Sequence, residues 1–198
     1  MTTNSTTVHP AWLRITHWLN VIAVVVLVLS GWRIYNASPI FAFHIPAGIT
    51  LGGWLGGALL WHFAAMWLLV INGIIYLAFN FATGRFSRKF FPLRAAEIAH
   101  DIIAVLKGKL AHDDLRHYNA LQKLAYLFVI VDAIVIVLSG LVVWKSVQFP
   151  MLRALMGGYN DARIVHFVGM ATLVAFIFVH VIMVALVPKT FVLMIRGK

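Results

Sequence analysis

Four long apolar runs decide most of what this chain can fold into. They cover about residues 13–35, 51–81, 120–144 and 164–187. Each is long enough to cross a bilayer core of about 30 Å as a helix. In lipid the backbone must satisfy its own hydrogen bonds, so helices are the default. Composition agrees, with 62% of the 198 residues hydrophobic and 11% charged; soluble domains carry about 25% charged residues. The expected architecture is all-α and integral to the membrane. It is one domain over residues 1–198, a four-transmembrane-helix bundle. The first run ends in Leu29-Ser30-Gly31-Trp32-Arg33 rather than at a small-residue cleavage site, so it reads as a retained span.

Charge sets the expected orientation. The 16 Lys and Arg are uneven: Arg33, Lys145, Arg153 and Arg163 fall on one side, and the other twelve on the side of the two termini. Basic residues gather in the cytoplasm, so N- and C-termini are expected there. That pattern accounts for the net charge of +10 without nucleic acid as a partner. The inner segment 83–117 contains an amphipathic stretch over 95–110. Ile98, Ile102, Val105 and Leu106 recur there at helical spacing beside Glu97, Asp101, Lys107 and Lys109. A helix lying on the membrane surface and a solvated loop helix fit it equally. Cysteine is absent, which excludes disulfides, thiolate-bound clusters and covalently attached haem.

Histidine placement carries the chemistry. His166 and His180 stand fourteen residues apart in the fourth run, roughly four turns or about 21 Å on one helix face. His17 opens the first run on the inner side, and His62 lies in the outer half of the second. Depth therefore pairs His17 with His180 near the cytoplasm and His62 with His166 near the outside. A lone histidine on an apolar face is usually a packing residue. Four that pair by depth across three helices point to axial ligation of two b-type haems. A divalent-cation path would want carboxylates among the histidines, and only Asp132 lies deep in a span. Asp132 needs a proton or a hydrogen-bond partner at that depth. Arg14 and Arg163, each three residues before a paired histidine, are candidates for haem propionates and equally for interfacial anchors. His9, His44, His100, His112 and His117 read as surface residues.

Two glycine patterns stand out. Leu29-Ser30-Gly31 is echoed by Leu138-Ser139-Gly140, both near the outer side. Glycine there would give clearance for a flat macrocycle or for another helix. The second run opens with Gly48, Gly52, Gly53, Gly56 and Gly57, either two Gly-x-x-x-Gly helix contacts or a flexible turn.

Arg14-Ile15-Thr16-His17-Trp18, Trp61-His62-Phe63, Tyr118-Asn119-Ala120-Leu121-Gln122-Lys123 and the spaced His166 and His180 together resemble the bacterial di-haem cytochrome b family. That family includes cytochrome b561 and the membrane subunits of Ni,Fe-hydrogenase, formate dehydrogenase and thiosulfate reductase. The resemblance covers nearly the whole chain. It implies two haem b in a four-helix bundle of the bacterial inner membrane, His17 and His180 on the inner one, His62 and His166 on the outer. It also implies a quinone site, for ubiquinone or menaquinone, formed by Asn119, His17 and His180. In the formate dehydrogenase member the matching run is Tyr-Asn-Ala-Gly-Gln, whose glycine is Leu121 here. His117, Asp113 and Asp114 flank that site as proton relays or as a solvated loop face.

The expected function is electron transfer between a periplasmic redox partner, a molybdenum or iron–sulfur subunit, and the membrane quinone pool. The alternative is a stand-alone superoxide:quinone oxidoreductase of the same four-helix type. A cofactor-free anchor is the third reading, which the interior histidines oppose.

Overall fold

The computed structural model describes residues 9–107 and 120–197. Four helices are long and apolar enough to span a membrane: α1 (Ala11–Ala37), α2 (Leu55–Ala82), α5 (Ala120–Trp144) and α7 (Tyr159–Leu186). With 25 to 28 residues each, they run about 38–42 Å at 1.5 Å per residue, enough to pass the apolar core. No strand occurs among the described residues. Among the described residues there are also four short α-helices, α3 (Arg85–Phe90), α4 (Ala95–Leu106), α6 (Pro150–Leu155) and α8 (Pro188–Arg196), and a single 3-10 turn over Ala47–Ile49. One end of the bundle therefore carries both termini, α3, α4 and α8. The opposite end carries the α1–α2 and α5–α7 connections, and is called the loop end below.

The helices pack as two antiparallel hairpins, α1 along α2 and α5 along α7, whose backbones approach each other at few points. Within the first hairpin the contact is polar as well as apolar. Asn72, buried, donates to the Thr16 carbonyl and to Asn20 Oδ1, both at 2.7 Å. In the second, Thr172 donates to Asp132 Oδ1 at 3.1 Å. The partner that mid-span carboxyl requires is thus on the neighbouring helix, while its Oδ2 is buried without one.

Proline and glycine place the breaks. Pro150 and Pro188 each stand at the start of a short helix, where the missing N–H costs nothing. Pro188 thereby ends α7 and lets α8 turn back along α1. Trp18 Nε1 donates to the Met194 carbonyl at 3.4 Å, and Arg14 donates to the Ile195 carbonyl. The second span begins at Leu55 rather than residue 51. Gly52 and Gly53 have φ of 106° and 70°, left-handed backbone that a helix cannot include. The Gly52/Gly56 and Gly53/Gly57 spacings are therefore a turn folded over the first residues of α2, with Leu51 N–H bonded to the Leu29 carbonyl at 2.9 Å. They are not helix-pairing motifs.

The amphipathic stretch forms α4, and residues 108–110 of it lie outside the described residues. Its Asp101 is buried against the start of α5. The carboxylate accepts from Ala120 N–H at 2.8 Å and Leu121 N–H at 3.4 Å. Orphan donors at a helix N-terminus are satisfied in this way, and the negative charge sits at the positive end of the helix dipole.

Candidate functional site

Each hairpin builds half of a duplicated arrangement at the loop end. In the first, His62 on α2 turns Nδ1 to Ser30 Oγ on α1 at 3.0 Å. In the second, His166 on α7 turns Nδ1 to Ser139 Oγ on α5 at 3.2 Å. Each serine hydroxyl donates back along its own helix, to Val26 at 2.6 Å and to Val135 at 2.7 Å. With that hydrogen engaged, the serine oxygen is left to accept from the imidazole. The carbonyl three residues earlier takes part too. In the second hairpin Ile136 O lies 2.9 Å from His166 Nδ1. A carbonyl only accepts, so Nδ1 carries the proton. Nε2, the other ring nitrogen, is then the one with a free lone pair.

The glycines of the Leu-Ser-Gly echo lie beneath these rings. A methyl group at Gly31 would meet His62 Cε1 at 3.4 Å, and one at Gly140 would meet His166 Cε1 at 3.1 Å. Their nearest neighbours are imidazoles, so the clearance they provide is for the histidine itself. The first distance is ordinary contact and the second is tight. Gly140→Ala is therefore expected to displace its histidine and lower haem content in the purified chain, with Gly31→Ala close to normal. Equal haem content in both variants would remove this account of the glycines.

The four histidines meet in the two pairs that depth suggests. His62 and His166 have ring centroids 6.4 Å apart, and His17 and His180 have theirs 6.3 Å apart. One partner in each pair comes from each hairpin. A ring centroid lies about 1.1 Å from its nitrogen and a metal–nitrogen bond is about 2.0 Å, so two imidazoles on opposite sides of one iron stand about 6.2 Å apart. Both pairs meet that requirement. The ring planes cross at 64° and 61°.

The surroundings of the two pairs differ. Next to His166 in sequence, Phe167 packs against Tyr35, Phe41 and Phe43 with centroids 5.0 to 6.2 Å apart. This aromatic group ties α7 to the α1–α2 connection. His17 is half-buried and His180 exposed, with Trp18 at the edge of the His17 ring and Phe176 stacked on His180. Among the described residues neither His17 nor His180 has a hydrogen-bond partner.

Both arginines near the paired histidines are occupied by backbone. Arg163 donates to the Ser38 carbonyl and to Ser38 Oγ, the latter at 3.2 Å. Arg14 donates to the Ile195 carbonyl, and its Nε is buried with no partner. His9 departs from its expected surface role. It is half-buried, and burial first, then the charges of Arg85, Lys89 and Arg14, holds its imidazole below the usual range. His44 and His100 are exposed, as expected. Asn119, His112, His117, Asp113 and Asp114 lie outside the described residues. The histidines and the echo were legible from sequence; the role of Ser30 and Ser139 was not. Their signal was the serine repeated beside each glycine.

A family model described as prokaryotic cytochrome b561 matches residues 8–197. A chain of Azospira oryzae named as a protein-methionine-sulfoxide reductase subunit, YedZ1, is 69% identical over 96% of this chain and 96% of its own length. Chains named as Ni/Fe-hydrogenase B-type cytochrome subunits are more distant. The one from Cupriavidus necator is 25% identical over 89% of this chain and 78% of its own length. The one from Azotobacter vinelandii is 27% identical over 88% and 78%.

Proposed function

The chain belongs to the prokaryotic cytochrome b561 family, and on that premise we propose that it carries electrons from membrane quinol through two b haems to a methionine-sulfoxide-reducing partner outside the membrane. It is a multi-pass protein of the bacterial inner membrane that binds b-type haem, serves electron transfer and works with an oxidoreductase partner. The finer reading rests on one observation above the others. Two histidine pairs, each with the centroid spacing of a shared iron, stand at two depths of one bundle. His17 and His180 are the ligands at the terminal end, His62 and His166 those at the loop end. The excess of Lys and Arg at the terminal end puts that end in the cytoplasm.

Haem supplies one-electron steps at a potential that the protein sets. The residues do the rest. Nδ1 of His62 and His166 is fixed as the donor, which presents Nε2 to the metal. Arg14 has a spare Nε for a propionate at its end, and the Arg163 guanidinium, with five donors, can serve both Ser38 and a propionate. For the quinone, the residues that the family resemblance implies are Asn119, which lies outside the described residues and whose amide could donate to a carbonyl, and His17 and His180, the latter exposed. A quinol gives up two electrons and two protons. Methionine sulfoxide takes up two of each to become methionine and water, so the two half-reactions balance.

The direction, outward from quinol, follows from the relative's name, since a sulfoxide reductase consumes electrons. The same name, that of a subunit, favours this reading over a stand-alone superoxide:quinone oxidoreductase. The test uses membranes holding the full chain, reduced with a short-chain menaquinol. Reduced-minus-oxidised spectra should show a b-type band and pyridine haemochrome two haems per chain. Reoxidation should need both a methionine-sulfoxide reductase catalytic subunit and methionine sulfoxide. Reoxidation that is indifferent to the catalytic subunit would overturn the partner. Absence of haem would overturn the whole reading.

A further inference from the structure

We infer that Ser30 and Ser139 are positioning residues that make the two haems inequivalent, lowering the midpoint potential of the loop-end haem relative to the other. This deepens the two-haem reading and rests on it. Both serines are fully buried, each spends its own hydrogen on a helix carbonyl, and each offers its oxygen to Nδ1–H of a histidine on the neighbouring helix. A ligand imidazole that donates its second N–H gains electron density and stabilises ferric iron. Its tautomer and ring rotation are fixed at the same time. The bond is made twice, at equivalent places in the two hairpins, with a glycine one residue on that lets the ring approach. At the terminal end His17 and His180 have neither serine nor carbonyl among the described residues. Both rings of one pair are thus electronically enriched, and among the described residues those of the other are not.

The experiment is a redox titration, with low-temperature electron paramagnetic resonance, of the full chain in membranes. It compares the unsubstituted chain with Ser30→Ala, Ser139→Ala and the double variant. Val142→Ala is the control, an equally buried truncation on the same helix as Ser139. The loop-end haem is the one missing from His166→Ala. Its potential should rise in each serine variant, further in the double, with its low-spin signal shifted and the other haem unmoved. Selective loss of that haem from the serine variants, with Val142→Ala keeping both, also supports the assignment. Unmoved potentials, equal shifts of both haems, or the same shift from Val142→Ala would overturn it. Haem content of the unsubstituted chain is read first. Fewer than two haems would sink the two-haem reading and this inference with it, whereas two haems with unmoved potentials would sink the serine role alone.

Discussion

Replacing His166 with alanine is expected to leave the chain with one haem in place of two. His166 is held at Nδ1 by Ile136 O and Ser139 Oγ, and its partner His62 stands across a 6.4 Å gap. On the proposed ligation, removing the ring takes away one of the two histidines that hold the loop-end haem. The bond energy of the remaining ligand then has to offset the entropy of binding alone. The pair at His17 and His180 stands roughly 21 Å away along α7 and shares no residue with it. Quinol should still reduce the surviving haem, while onward transfer to a sulfoxide-reducing partner falls to background. Haemochrome counting and quinol titration read the two effects separately. Two haems retained per chain would contradict the ligand assignment. Recovery of the band with added imidazole would show that the ligand, not the fold, had been lost.

Gly169→Ala should be the most damaging added methyl group within the helices α5 and α7. A Cβ at Gly169 would stand 2.7 Å from Ile136 Cγ1 and 3.4 Å from Asp132 Oδ1. Both contacts lie on α5, facing the buried side of α7, and Cγ1 is too near the Ile136 backbone to swing far. Overpacking of this kind costs about 1–3 kcal/mol. The strain would also reach the chemistry, because Ile136 supplies the carbonyl that bonds His166. Gly73→Ala is the matched control on α2, where nothing lies within 4 Å of the added carbon. Alanine there should be neutral or stabilising by about 0.5–1 kcal/mol. Thermal loss of the Soret band in detergent should fall by roughly 2–4 °C for each kcal/mol in Gly169→Ala. Equal melting of the two variants would show that the α5–α7 contact is not close-packed in the membrane.

The long helices were legible because twenty or so apolar residues have few other solutions in lipid. The depth pairing of the histidines was legible for a related reason. Helical rise and topology turn residue number into height, and height alone selected His17 with His180 and His62 with His166. What was not legible depended on tertiary approach. Nothing local marks Gly52 and Gly53 as left-handed rather than helical; the turn exists because the chain must come back over Ala58 and reach Leu29. Helix α8 hides in a polar-apolar mixture too short to read as a span, although Pro188 is a recognisable start signal. The Leu-Ser-Gly echo was visible, yet its glycines suggest a macrocycle until the histidines of the neighbouring helices are seen above them. Asp101 reads as the polar face of a surface helix, and only its bond to Ala120 N–H shows that it caps the third span.

The sparse contact between the hairpins bears on how such a chain is assembled. Each hairpin enters the membrane with its own serine, glycine and donor-locked imidazole already matched, and with one further histidine for the other pair. Neither needs the other to complete its half. On the proposed ligation it is haem that joins them, twice, like pins through two leaves of a hinge. A cell short of haem would then hold this protein as two loosely apposed leaves. Cofactor supply, rather than translation, would decide how many chains mature and how many are left for membrane proteases to clear.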